Sequence, residues 1–265
     1  MAARKQVKSS SGAERAPAAF VPYAGEDPRR LRISVTTIGD LLLTAADRDP
    51  DKLALVFPEA CCTYGELASR ALRRARSLQA LGVRPREHVG ILMHSCPEFV
   101  ELYFAIALCG AVIVPINARY KATEISYLAE NGDLVTLVTT DATAEQVNFA
   151  ERLEQTFPDL ASQANARRLR LATAPKLRNI VLLGKSHAPG FVTEKDFMAA
   201  GEDRPEDRVH ETRLRVRVRD NRHFHRLDSL GRPMTLIAIQ TGEKQYELKG
   251  RPPQYPRRWS PSQPH

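Results

Sequence analysis

HVGILMHSCPEFVELYFAIALCGAVIVPINARY, residues 88–120, is the stretch whose reading decides the fold. HVGILMH (88–94) has an uninterrupted apolar centre, as parallel strands covered on both faces require. Ser95 and Glu98 stand in the capping-box relation with Pro97 in the first turn, which predicts a helix running to Cys109. AVIVPI (111–116) then predicts a second strand. The apolar run 99–116 is long enough to raise the question of a membrane span. Glu101, Gly110 and Pro115 divide it instead into a helix and a buried strand.

The same alternation continues outward. Upstream, TTIGDLLLTAADRD (36–49) places Ile38, Leu41, Leu42 and Ala45 on one helical face after a Thr cap, and LALVF (53–57) reads as a short strand. Thr63 and Glu66 form a second capping-box pair, from which Leu67, Ala71, Leu78 and Leu81 recur with helical spacing until Gly82 stops the helix. Downstream come a helix over 122–132, a strand over 134–140, a helix over about 143–157, a strand over 179–184 and a capped helix over 193–201. Residues 163–176, polar and rich in Ala and Arg, read as a surface connection or ragged helix. Strands alternating with helices of this length predict an α/β fold with right-handed crossovers and a mostly parallel sheet. There is no internal repeat.

Of the 265 residues 43% are hydrophobic, which excludes disorder of the whole chain. The formal charge of +8 is unevenly spread. Residues 1–32 carry 7 basic and 3 acidic side chains and residues 221–265 carry 8 and 3, so the segment 33–220 is near −1. The basic character belongs to the two ends, and the middle gives no ground for a nucleic-acid partner. Cys61, Cys62, Cys96 and Cys109 lack metal or redox spacing and read as buried, reduced thiols of a cytoplasmic protein. The first twenty residues have no continuous apolar core, so they read as a flexible leader and not a secretory signal.

Three blocks, TYGELASRALRRARSLQALGVRPREHVGILM (63–93), HSCPEFVELYFAIALCGAVIVPINARYKATEISYLAENG (94–132) and LVTLVTTDA (134–142), agree in order and spacing with one family. The chain resembles the N-terminal part of the acyl-adenylate-forming (AMP-binding) enzymes, most closely a fatty or other carboxylic acyl-CoA synthetase. The resemblance spans about residues 33–220. It implies, for the intact family, that a carboxylate attacks the α-phosphorus of Mg-ATP to give an acyl-adenylate and pyrophosphate. Coenzyme A thiolate then displaces AMP. Such transfers need phosphate oxygens neutralised and positioned, which the family does with a Gly/Ser/Thr-rich loop ending in Pro-Lys-Gly.

That loop is expected directly after Asp220, and the sequence there departs from the family. NRHFHRLDSLGRPM follows, with Gly231, Arg232 and Pro233 echoing only the loop's end and no Lys after the proline. The resemblance also leaves the family's adenine-binding segment, hinge Asp and C-terminal Lys without counterparts. Residues 221–265 hold 6 of the 18 prolines and no periodic apolar order, the signature expected of a shifted reading frame. They are expected to be disordered, and MTLIAIQT (234–241) has strand character but no evident partner. The division expected is a leader (1–32), a partial AMP-binding N-terminal domain (33–220) and an aberrant tail (221–265). The incomplete domain is expected to leave sticky apolar faces.

Individual residues carry little chemistry. His94 ends a strand at the edge where ligands bind parallel sheets, and is assigned a structural polar contact. His210, His223 and His225 lack the Cys or carboxylates that would complete a metal site. Asn117 and Arg119 are assigned packing and turn roles. Arg213, Arg215, Arg217 and Arg219 alternate with Leu214, Val216 and Val218, the period of a strand with one wet face. No residue is put forward as catalytic, cofactor-binding or metal-ligating, and no cofactor is expected for this chain alone; ATP, Mg and coenzyme A belong to the intact family. The function expected is an inactive fragment of an acyl-CoA ligase. The rival is a non-catalytic interaction protein whose basic tail binds nucleic acid or an acidic partner.

Overall fold

The computed structural model describes residues 27, 29–30, 37–58, 60–143, 145–216, 223–227 and 233–237. Five parallel strands form its centre, in the order β4-β3-β5-β6-β7: β3 (His88–Leu92), β4 (Val112–Ile116), β5 (Leu134–Thr140), β6 (Asn179–Leu183) and β7 (Val192–Thr193). β5 and β6 are buried along their whole lengths, which is why the chain supplies apolar runs there in place of alternation.

Successive residues of each strand point to opposite faces, and two separate cores result. Val89, Ile91, Ile113, Val138 and Val181 face a layer made by α1 (Ile38–Arg48), α2 (Tyr64–Ala80), α3 (Pro97–Leu108) and α6 (Glu194–Glu202). Leu92, Val114, Leu137, Ile180 and Leu182 face α4 (Ala122–Asn131), α5 (Phe149–Thr156) and the segment from Phe157 to Leu177. The first layer is further tied by ions: Arg74 Nε meets Glu101 Oε2 at 2.6 Å between α2 and α3, with both side chains under 10% exposed.

The expected α/β architecture is thus present, with the Thr63–Glu66 capping box formed in both directions and Gly82 at φ 88°. Several local readings need correction. α3 begins after Cys96, not Ser95, and has no side-chain cap; Pro97 alone fixes its first turn. On α1 the buried positions are Ile38, Leu42 and Leu43, while Leu41 is 54% exposed, because α3 lies over the other flank of the predicted stripe. The strand β1 (Leu53–Val56) pairs antiparallel with β2 (Cys61–Thr63) in a separate hairpin, leaving Leu53, Val56 and Cys61 exposed. α5 starts six residues later than expected, after an Asn148 cap, and 163–176 holds no helix although Leu169, Leu171 and Ala174 are buried.

The largest correction concerns 207–216. The Arg/Leu/Val alternation suggests a strand, but Asp207–Leu214 forms a helix, α7, with Arg213 fully buried against Asp40 of α1. Arg217 and Arg219 lie outside the described residues. The strand expected over 234–241 does find a partner: β8 (His223–Leu227) and β9 (Pro233–Ile237) pair antiparallel as a two-stranded sheet. The rest of the expected disordered tail, and nearly all of the leader, lie outside the described residues. No described helix is long and apolar enough to cross a membrane.

Candidate functional site

In an open parallel sheet, ligands bind beyond the carboxyl ends of the strands, where neighbouring strands send their connections to opposite faces. Here that point lies between β3 and β5, which pair in parallel. The chain leaving β3 enters α3 in one layer and the chain leaving β5 enters α5 in the other.

Side chains from three connections meet there. His94, just past β3, places Nδ1 3.4 Å from Thr143 Oγ1 in the connection after β5. Its ring lies 5.4 Å from that of Phe149, the first residue of α5. The Arg152 guanidinium stands over the Phe149 ring, 5.6 Å from its centroid, and donates through Nη1 to the carbonyls of Ala118 (2.7 Å) and Tyr120 (3.1 Å). That bond fixes the turn after β4, where Asn117 Oδ1 also accepts from Arg119 N at 3.0 Å. Asn117 therefore has the turn role read from the sequence, and His94 makes a polar contact at the sheet edge.

Beside this crevice a cleft of ≈ 310 Å³ opens past β5 and β6, lined by residues that include Asp141, Asn148, Glu151, Glu154 and His187. Its wall is built by a clasp. Asp141 Oδ2 accepts from Lys185 N (3.0 Å) and Ser186 N (2.7 Å), and Gly184 N donates to Glu194 Oε2 (2.9 Å). Gly184 sits at φ 113°, and a Cβ there would lie 1.7 Å from Asp141 Oδ1, so only glycine fits.

This arrangement orients loops more than it performs chemistry. Asp141 is committed to the clasp, and Asn148 Oδ1 to the amide of Glu151 at 3.1 Å as the α5 cap. Among the described residues three carboxylates and no Lys or Arg line the cleft, a field that opposes phosphate oxygens. The residues present do not suit a triphosphate. Among the described residues no group of three His, Cys, Asp or Glu is placed to hold a metal. Burial pushes the Cys96 thiol up to about 11 and raises Cys62 and Cys109 too, which favours the protonated thiol over the nucleophilic thiolate at neutral pH. His210 is buried beside Arg213, 3.2 Å from its Nε; the side chains of His223 and His225 lie outside the described residues. Thr143, Asp141, Arg152 and Gly184 were not legible as a set, since the connection after β5, helix α5 and the turn after β6 supply them separately. The one local sign was a Gly or Asp directly following an apolar strand.

A family model for the AMP-binding enzymes matches residues 42–202, and the chain belongs to that family. The Mycobacterium tuberculosis medium/long-chain-fatty-acid–CoA/3-oxocholest-4-en-26-oate–CoA ligase is 33% identical over 122 residues, 46% of this chain and 21% of the relative. The Bacillus subtilis protein YngI is 29% identical over 158 residues, 59% of this chain and 28% of its own length. Among solved structures the N-terminal domain of FACL13 from Mycobacterium tuberculosis aligns at a TM-score of 0.56 and 22% identity, covering 77% of this chain and 44% of that one; at this identity the match shows the fold alone. The described domain thus has the fold of that N-terminal domain, and the chain spans under a third of these two curated relatives.

Proposed function

We propose that this chain is part of an ATP-dependent acyl-CoA ligase of the cytoplasm and that, as this polypeptide, it does not adenylate. The intact reaction would join a carboxylic acid to coenzyme A through an acyl-adenylate, releasing pyrophosphate and AMP, with Mg on the triphosphate. Residues 33–220 supply the scaffold of that reaction and residues 221–265 replace the segment that would grip the phosphates.

The observation that carries this reading is the carboxyl end of the sheet. Its crevice is tied by His94–Thr143, Arg152 and the Asp141 clasp, and among the described residues the adjoining cleft presents carboxylates and no Lys or Arg. Phosphate binding would have to come from outside this set, and the sequence after Asp220 has no Ser/Thr-Gly cluster followed by Lys. The test is release of pyrophosphate from ATP with a panel of fatty and aromatic carboxylic acids. None above background is expected; sustained release overturns the reading. Sequencing the DNA across codon 220 adds an independent check: an intact Gly-rich loop is expected in another frame.

A further inference from the structure

Between α5 and β6 the chain runs from Phe157 to Arg178 with neither helix nor strand. Connections of that length without regular structure are uncommon in a compact domain, and the ordered ones usually carry function. This one is pinned along its course. Leu169, Leu171, Ala174 and Leu177 are buried in the second core. Gln163 holds both backbone groups of Arg170, its Oε1 accepting from Arg170 N at 2.9 Å and its Nε2 donating to Arg170 O at 3.3 Å. Asp159 Oδ2 accepts from Ala172 N at 3.0 Å, and Leu169 N donates to Arg178 O at 2.9 Å.

The pinned backbone displays one set of side chains. Burial alternates from Arg168 to Ala172, so Arg168 and Arg170 share the wet face while Leu169 and Leu171 share the buried one. Continued, that alternation would turn Thr173 inward with the leucines. A bend at Ala172 and Thr173 interrupts it, and Thr173 is exposed. Among the described residues the side chains of Arg168, Arg170 and Thr173 have no partner, whereas Arg167 donates through Nη2 to Asp196 O at 3.0 Å. Two exposed cations thus stand five and three positions before an open hydroxyl.

We propose that Thr173 is a phosphorylation site, read by a protein kinase whose substrate groove carries carboxylates for Arg168 and Arg170. Charges flanking the acceptor are how such enzymes choose substrates, and a guanidinium meets a carboxylate through two parallel hydrogen bonds. Thr173 Oγ attacks the γ-phosphorus of Mg-ATP. Its bond to phosphorus forms as that to the β,γ-bridging oxygen breaks, ADP departs, and the hydroxyl proton passes to the kinase's base.

The test is transfer of phosphate from Mg-ATP to the folded full chain by the catalytic domain of a protein kinase selective for arginine five and three positions before the acceptor. Mass spectrometry locates the product, and the peptide 163–178 is the unconstrained reference. Phosphate on Thr173 is expected, at a kcat/KM within about tenfold of the peptide's, because the acceptor and both cations already face water. The pair Arg168→Ala with Arg170→Ala is expected to lower that value at least about tenfold. Thr173→Val is expected to abolish labelling of this segment. All three side chains are exposed, so thermal unfolding of these variants is expected to match the wild type. Transfer more than about tenfold slower than to the peptide overturns the proposal. So does phosphate found only elsewhere in the chain, or a double arginine variant labelled at the wild-type rate.

Discussion

The layer under α4 and α5 and the joint between α1 and α7 are both buried, but by opposite means. The first fills its space with Leu137, Phe149, Leu153, Phe157 and Ile180, none more than 1% exposed, whose contacts are additive and tolerant of detail. The second closes on Arg213 and Asp40, whose contact is all-or-none. Apolar packing therefore fills the one, while in the other a buried ion pair ties α7 to α1.

Emptying the apolar layer should have the largest effect. Phe157→Ala is expected to remove about 3–5 kcal/mol of global stability in urea unfolding, with sheet and helices lost together. A loss confined to α5 would mean the layer is not one unit. At the joint a middling effect is expected from Gln79→Ala, about 1 kcal/mol, visible only as faster exchange of α7. Thr212 keeps a partner there, since its hydroxyl donates to Arg208 O at 2.7 Å, so a global loss would contradict the contrast.

The smallest effect is on pH dependence. The Glu206 carboxyl is held below its ordinary range, first by a hydrogen bond from His210 Nε2, a long one at 3.5 Å, and then by the charges of Arg76 and Arg29. Because the folded value lies below the unfolded one, this hold is complete above the ordinary carboxylate range and fades as pH falls through the folded value. Opening of α7 is expected to rise about twofold to threefold between about pH 5 and 3, and Glu206→Gln to flatten that rise. Asp207, lowered mainly by its bond from Arg29, acts in the same direction and remains in the Gln variant as a residual slope.

The same contrast explains what could be read from the sequence. β3, β5 and β6 were legible because strands buried on both faces advertise themselves as apolar runs, and α2 because Thr63 and Glu66 lie three positions apart. α7 was misread because Arg213's partner, Asp40, is far away in the chain, so the local alternation of arginines with Leu214 and Val216 spoke for a strand. The crevice was legible only at His94. Thr143, Phe149, Arg152 and the Asp141–Gly184 clasp reach it through the topology of the sheet, which brings separate loops to one edge.

The strand order has a consequence for synthesis. β3 gains β4 after one crossover, but its other edge must wait for β5, so Val89–Leu92 emerges from the ribosome with half its backbone bonds unmade until Thr140 has been added. No hairpin within this sheet shortens that wait, and parallel pairing across such gaps is slow. Until Leu134–Thr140 has been made, β3 therefore keeps one unpaired edge, the kind of surface that exposes a nascent chain to aggregation.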